Sequence, residues 1–507
     1  MADETRPSPS GPPANRCVIV IFGASGDLNK RKLVPALCNL VSYGLMPDDY
    51  AILGVSRTPV SDSEFREQLR HEIAKLSAGP VEAKVWEEFA RRIYYLAGDI
   101  NDPQTYKALA ARISELAKKH QTDGNILYYL ATPPQAFAPI VRHLGDAKLA
   151  QPQGRGWVRV IVEKPFGTDL ESARELNRQL DQVLSEDQIY RIDHYLGKET
   201  VQNIFVLRFA NGIFEPVWNR RYVDHVQLMV AEDLGIEGRG AFYDQTGALR
   251  DVIQNHMFQL LALVAMEPPV SFQGEGVRNE KEKVLSAIRP LQPEEILSNA
   301  ARGQYGPGII NGETVPGYRS EPKVLANSKT ETFAALKLFI DNWRWAGVPF
   351  YLRSGKRLAR RDTEIVIQFN RPPLLFFRQT GLDKIESNRL IIHVQPDEGI
   401  RLRIKAKVPG PEIQLKTVEL HFNYQEFGVR TEATGYERLL HDCMIGDSTL
   451  FHREDMVETA WRVVTPILDV WASLPPRDFP NYPAGSWGPL AADELIARDG
   501  RQWIVSE

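Results

Sequence analysis

The segment RIDHYLGKE, residues 191–199, crowds acids, cations, an imidazole and a phenol into one short run. His194, Tyr195 and Lys198 offer a ring nitrogen, a hydroxyl and an ammonium, a set suited to the acceptor oxygens of a phosphate, and Asp193 stands beside them. A second cluster, RDVIQNH at 250–256, sets His256 among Leu249, Val252, Ile253, Leu260 and Leu261 at helical spacing. Alone, such a histidine reads as a satisfied structural residue. A third, RSGKRLARRD at 353–362, gathers five cations and reads as a solvated charged face unless an anion lies beside it. Taken singly, none of the three decides a function.

The elements that must hold these groups follow from pattern. CVIVIFG, starting at Cys17, is a continuous apolar, β-branched run ending in glycine, as expected of a strand buried on both faces of a parallel sheet. GASGDLNKRKLVPALCNLVSYG then turns into a helical pattern. Strand, glycine turn and helix make a phosphate cradle: Gly23 and Gly26 admit close backbone approach and the helix N-terminus offers unpaired N–H groups. The spacing G-x-x-G-x-x-N departs from the usual G-x-G-x-x-G, and an ordinary tight turn is the competing reading. After the next strand, YAILGVSR, the place where an acid grips the ribose of NAD holds Ser56, Arg57 and Thr58. A cation there suits a 2′-phosphate, so NADP is expected, with NAD as a secondary acceptor. Lys30, Arg31 and Lys32 add to the positive field, although a solvated basic face is the ordinary fate of at least two of them.

YYLAGDI, NILYYLATPP and WVRVIVEKPFG continue the α/β rhythm, the last strand of which is expected to end at Lys164-Pro165. Beyond about residue 200 a long helical pattern, GALRDVIQNHMFQLLALVAME, precedes the strand-like runs TFAALKLFI, EIVIQF, RLIIHV, RLRIKAKV and IQLKTVELHF. Strands in succession imply an antiparallel sheet, with one face under helices and the other open to solvent or a partner subunit. The expectation is a Rossmann-like α/β domain over 17–195, preceded by a disordered tail at 1–16, and an α+β domain with a large, mainly antiparallel sheet over 196–507. GEGVRNEKEK and GQYGPGIINGETVPGY read as surface loops.

Composition narrows the partners. Lys plus Arg (61) against Asp plus Glu (65) gives net −4, no global attraction for nucleic acid or an anionic membrane. Cys17, Cys38 and Cys443 are too few and scattered for a disulfide framework or a metal cluster and suit a reducing, cytoplasmic setting. No apolar run is long enough to span a membrane.

With their surroundings the clusters carry a resemblance. EKPFG at 163, RIDHYLGKET at 191, FVLRFANGIFEPVWNR, EGRGAFYD at 237, RDVIQNH at 250 and NWRWAGVPFYLRSGKRL at 342 resemble the glucose-6-phosphate dehydrogenase family in its bacterial form, from the GASGDL loop to the SWGP segment. The resemblance implies oxidation of glucose 6-phosphate at C1 by hydride transfer to NADP. It implies His256 as general base, paired with Asp193, and His194, Tyr195, Lys198, Lys356 and Arg361 on the sugar phosphate. Lys164, Glu232 and Asp251 would hold sugar hydroxyls, with Lys164 also near the cofactor. Gly23, Ser25, Gly26, Lys32 and Arg57 match cofactor-binding positions, whereas Asn29 stands where the family often has a small residue. No metal is implied, and a homodimer or homotetramer is. A different sugar oxidoreductase would share the first domain and Lys164 but leave RIDHYLGKE with RSGKRL unexplained. An NADP-sensing regulator would not need both Asp193 and His256. A nucleic-acid role would rest on the 353–361 run alone.

Overall fold

The computed structural model describes residues 11–76, 83–152, 154–372, 386–427 and 435–505. The chain forms two compact units, Met1–Lys198 with Pro269–Asn279 and Thr431–Glu458, and Glu199–Pro268 with Glu280–Arg430 and Thr459–Glu507. The division is therefore not a single cut near residue 195, because two later segments return to the first unit. Of the expected tail, residues 1–10 lie outside the described residues, while 11–16 run as coil with Ala14 buried and its N–H donating to Leu45 O at 2.8 Å.

The first unit is built on a six-stranded parallel sheet: β1 (Cys17–Phe22), β2 (Tyr50–Ser56), β3 (Ile93–Ala97), β4 (Ile126–Leu130), β5 (Val158–Val162) and β6 (Ile189–Arg191) in the order β3-β2-β1-β4-β5-β6. Every side chain of β1 is buried, which is why its sequence is apolar throughout rather than alternating. The strand order reverses between β1 and β4, the switch point at which such sheets leave a crevice for ligands. The sheet does not end at Lys164, as the sequence suggested; β6 adds a further strand and terminates at Arg191, inside RIDHYLGKE. The returning helix Tyr436–Ile445 is tied to β5 by Arg159, which donates to the carbonyls of Cys443 and Met444 at 2.7 and 2.8 Å.

The second unit holds an eight-stranded sheet. In chain order its strands are β7 (Val223–Ala231), β8 (Ala300–Gly303), β9 (Phe333–Phe339), β10 (Pro349–Gly355), β11 (Asp362–Phe369), β12 (Arg389–Gln395), β13 (Gly399–Lys407) and β14 (Leu415–Asn423). They lie in the order β14-β13-β12-β11-β7-β10-β9-β8. Only β7 and β10 pair in parallel, so the sheet is mainly antiparallel as expected. Three of its strands, VDHVQLMVA, AARG and PFYLRSG, escaped the sequence reading, the second because it is only four residues long and the third because its value as part of a longer motif masked its β-pattern. GEGVRNEKEK is not a loop but opens the helix Gly274–Ala287; its charges flank Val277 and Val284, which are buried. GQYGPGIINGETVPGY contains a small antiparallel ribbon, Gly308–Ile310 with Glu313–Val315.

The helix bearing RDVIQNH begins after Gly247, whose φ of +72° breaks the preceding helix. Glu331 caps the new start, its backbone carbonyl accepting from Ala248 N at 3.0 Å and its carboxylate from Leu249 N at 3.2 Å. The continuation, Phe258–Ala265, is buried on all sides, and its last carbonyls are satisfied by side chains. Trp218 donates to Val264 O at 2.7 Å, Trp345 to Ala265 O at 2.8 Å, and Arg208 to Leu263 O and Met266 O at 3.0 and 2.8 Å.

Gly23 is a point of close backbone approach in the first unit. It has φ +82°, and an added Cβ would lie 2.2 Å from Ala131 O, the residue after β4. Gly23→Ala is expected to destabilise the protein by about 2 to 4 kcal/mol through strain and collision. Urea unfolding followed by circular dichroism measures this; an unchanged midpoint would show that the turn accommodates a side chain.

Candidate active site

In the first unit the chemistry collects at the carboxyl ends of parallel strands. After β1, Gly23 and Ala24 donate to Val55 O at 3.0 and 3.2 Å, and Gly26 N to Gly23 O at 2.9 Å, which folds the turn back on β2. Ser25 Oγ lies 2.6 Å from Ser56 Oγ at the end of β2, next to the exposed Arg57. Asn29 is buried and donates to Ala24 O at 2.6 Å. Its side chain closes the glycine turn from within, work that a small residue could not do. Lys32 is exposed on the helical turn that follows. A cradle that a single Cβ would fill, with a cation after the next strand, fits a dinucleotide phosphate.

After β5, Glu163 accepts from Tyr129 Oη at 2.5 Å and from Tyr436. Burial pushes Glu163 up to about 6, opposed by those hydrogen bonds and by the neighbouring Lys164 ammonium. The Tyr436 ring lies parallel to that of His194, centroids 6.3 Å apart. After β6, Asp193 is 1% exposed and its Oδ1 accepts from Tyr195 N at 2.9 Å. Lys198 Nζ stands 4.2 Å from the centre of the Tyr195 ring. Lys164, Asp193, His194, Tyr195 and Lys198 are thus brought to one edge of one sheet. Arg191 is not part of this array; its guanidinium is buried against Glu186 at 2.7 Å and Asn177 at 3.1 Å.

In the second unit, Glu232 follows β7 and Lys356 follows β10, the parallel pair, and their side chains form an ion pair. Lys356 is 3% exposed, lies over the Tyr243 ring at 5.2 Å, and accepts on its own carbonyl from Tyr482 Oη at 2.8 Å. Burial drives the Tyr243 hydroxyl far up, reinforced by Asp251, Glu331 and Glu232, so three carboxylates share its surroundings. His256 lies on the same helix as Asp251, five positions on and 3% exposed, where the hydrogen bonds of Leu249–Met257 widen to the π-helical pattern, a feature frequent at functional sites. Arg361 is exposed and donates to Gln395 Oε1 at 3.0 Å. Asp362, Glu364 and His393 place ligand-type atoms within 4.8 Å of one another, a grouping that no sequence spacing announced. Arg360 donates to Asp362 at 3.0 and 3.2 Å, and the buried Arg353 lies in the field of both acids, so guanidinium groups already balance their charge.

Glu163, Tyr436, Tyr243, Gln395 and His452 were missed from sequence. Glu163 and Tyr243 stood inside quoted motifs and were passed over for their neighbours. Tyr436 and His452 come from the returning segment, with no spacing to link them to RIDHYLGKE. No helix among the described residues is long and apolar enough to cross a membrane, and Cys17, Cys38 and Cys443 are buried thiols.

The strand order, switch point and glycine turn define a dinucleotide-binding fold. Comparison with known proteins gives the family. Residues 20–203 match the model described as glucose-6-phosphate dehydrogenase, NAD binding domain, and 205–504 its C-terminal domain. A curated glucose-6-phosphate 1-dehydrogenase of Aggregatibacter actinomycetemcomitans is 49% identical over 490 residues, 97% of each chain, and one of Chlamydia pneumoniae 46% over 492, 96% of each. A solved glucose-6-phosphate dehydrogenase in complex with its substrate glucose 6-phosphate aligns with TM-score 0.87 at 37% identity, covering 98% of this chain and 100% of that one. The Mycobacterium avium glucose-6-phosphate 1-dehydrogenase aligns at 0.82 and 39%, covering 97% and 99%. This chain belongs to the glucose-6-phosphate dehydrogenase family.

The raised carboxyl of Glu163 makes a prediction. Its folded-state value, about 6, stands above the ordinary 4.5, so between those values the folded chain binds more protons than the unfolded one. Stability from this group is present below 4.5 and is lost as pH rises through 6. Glu163→Gln, which cannot ionise, is expected to gain stability relative to the native sequence across that window and to hold a constant difference above it. Urea midpoints at stepped pH test this; a difference independent of pH would show that Glu163 ionises normally.

Proposed function

We propose that this chain oxidises glucose 6-phosphate at C1 with NADP as acceptor, giving 6-phospho-glucono-1,5-lactone and NADPH, the first step of the oxidative pentose phosphate pathway. The observation that carries the reading is the array of Lys164, Asp193, His194, Tyr195 and Lys198 at the carboxyl ends of β5 and β6, where a parallel sheet receives its ligand. Gly23, Ser25, Gly26, Lys32 and Arg57 hold the cofactor, with Arg57 on the 2′-phosphate and Lys164 near the nicotinamide. Bound there, the nicotinamide supplies the acceptor for the hydride.

His194, Tyr195 and Lys198 donate to the sugar phosphate, joined by Lys356 and Arg361. Lys164, Glu232 and Asp251 hold sugar hydroxyls and so fix C1 in one orientation, which converts binding energy into alignment. A ring nitrogen of His256 takes the proton of the C1 hydroxyl as hydride leaves. Asp193 fixes the imidazole tautomer and stabilises the imidazolium that forms. The chain assembles as a homodimer, or a homotetramer, through the large sheet. The exposed side chains along its edge strand β14, among them Leu420 at 56%, support that reading. Buried free thiols accord with a cytoplasmic location.

Initial rates of NADPH formation with glucose 6-phosphate test the reaction. His256→Ala is expected to lower kcat by about 100- to 10,000-fold while NADP still binds; a variant that keeps native turnover would remove His256 from the role of base. Arg57→Asp is expected to lower kcat/KM for NADP by about 10- to 100-fold, the worth of a charge-assisted hydrogen bond, and to leave turnover with NAD in place. Equal losses with both acceptors would place Arg57 away from the 2′-phosphate.

A further inference from the structure

We infer, on the role proposed above for Arg57, that Tyr95 is a positioning residue for the choice of acceptor: it holds the turn carrying Arg57 where a 2′-phosphate is read. All the contacts lie within the first unit. Tyr95 stands on β3 beside Gly54 of β2 in the parallel register. Its hydroxyl donates to Thr58 O at 2.6 Å and shares that proton with Ser56 O at 3.2 Å. One side chain thus grips the carbonyls on either side of Arg57, which is itself exposed. Ser56 O also accepts from Gly98 N at 2.9 Å, and Ser56 Oγ meets Ser25 Oγ of the glycine turn at 2.6 Å. The turn is therefore tied at Ser56 to both neighbouring strand ends and at Thr58 to Tyr95.

Tyr95 is itself well placed to serve as a fixed point. It is 7% exposed, and its ring packs on Phe65 with centroids 4.7 Å apart. Its backbone N–H donates to Asp62 Oδ1 at 2.7 Å, and the other oxygen of Asp62 pairs with Arg112 at 2.7 Å. Asp62 and Phe65 both belong to the helix Asp62–Leu76, so ring and backbone of Tyr95 are held by one element. Gly54 makes the room for this packing, since an added Cβ would lie 2.9 Å from the Phe65 ring. An arginine that must meet a phosphate with a charge-assisted hydrogen bond gains when its backbone is ordered before the ligand arrives, because binding then carries less of the ordering cost. NAD offers a ribose hydroxyl at the same place and draws far less on the guanidinium charge. The Tyr95 hydroxyl therefore favours NADP over NAD.

The test measures kcat/KM for NADP and for NAD at saturating glucose 6-phosphate in native enzyme, Tyr95→Phe, Arg57→Ala and the double variant. Binding of each dinucleotide, followed by protein fluorescence, reads the same discrimination where turnover with NAD is slow. Tyr95→Phe keeps the Phe65 contact and the bond to Asp62, which the backbone makes, and removes only the hydroxyl. It is expected to lower kcat/KM for NADP by about three- to tenfold, the worth of one hydrogen bond, through KM rather than kcat, and to leave kcat/KM for NAD within about twofold of native. In the Arg57→Ala background the loss of the hydroxyl should cost nothing further with NADP, since the two residues act as one unit. An unchanged ratio of NADP to NAD in Tyr95→Phe, whether neither value falls or both fall equally, overturns the inference and leaves Tyr95 a packing residue. So does a full additional loss in the Arg57→Ala background, or a phenylalanine variant too unstable to isolate folded, which would make the hydroxyl a stability element. Arg57→Ala with a native ratio overturns the role proposed for Arg57 and this inference with it, an outcome distinct from discrimination that depends on Arg57 and is indifferent to Tyr95.

Discussion

The carboxyl end of the helix through His256 is the constraint around which the second unit is arranged. Its last run, Phe258–Ala265, is buried on every side, so its final carbonyls cannot reach water, and an unpaired buried carbonyl costs about 1–3 kcal/mol. Arg208 and Trp218 meet that need from one stretch of chain and Trp345 from another. Burial lowers Arg208 to about 10, and Glu215 offsets part of the cost. Arg344 in turn holds Trp218 O at 2.7 Å while pairing with Glu267 and Glu215. With Glu331 closing the other end, the helix is held at both termini by groups that have no freedom to drift, and His256 inherits that rigidity. The long motifs around FVLRFANGIFEPVWNR and NWRWAGVPF are therefore largely capping machinery.

The first unit solves a different problem with the same economy. Its ligands must sit on strand ends rather than on a buried helix, so the array is defined by backbone register: β1 with its glycine turn, β2 with Arg57, β5 with Lys164, β6 with Asp193. Side chains then tune what the backbone places. Tyr129 and Tyr436 hold the Glu163 carboxyl beside Lys164, and Tyr195 N holds Asp193. A few cations, Arg57, Lys164 and Lys198 among them, are gathered at the carboxyl edge of this sheet in a chain of net charge −4.

Much of this was legible beforehand. Continuous apolar runs identified β1, β2, β4 and β5 because strands buried on both faces have no competing pattern, and the turn after β1 was marked by its glycines. Three residues of β6 are too few for periodicity to register, and its sequence is dominated by the polar run that follows. Gly274–Ala287 was mistaken for a loop because glycine and charge outweigh two buried valines in a local reading. Candidate residues within motifs were accessible; those contributed by partners distant in sequence were not. Tyr436 and His452 reach β5 and β6 through tertiary return of the chain, which neither spacing nor composition encodes. Asn29 is instructive in the other direction: a residue singled out in sequence acquired its reason only when its amide was seen closing the turn on Ala24 O.

That return has a consequence for biosynthesis. The parallel sheet is encoded before residue 195, yet the helix that Arg159 anchors and the strip that bridges Arg191 are encoded between 431 and 458 of 507 residues. A nascent chain emerging from the ribosome can align its first six strands early, but β6 stays an open edge until residues 431–458 have been translated. Exposed strand edges invite pairing with other chains, so the interval between translation of Arg191 and of His452 is the period in which this protein depends most on speed or on chaperones to avoid misassembly.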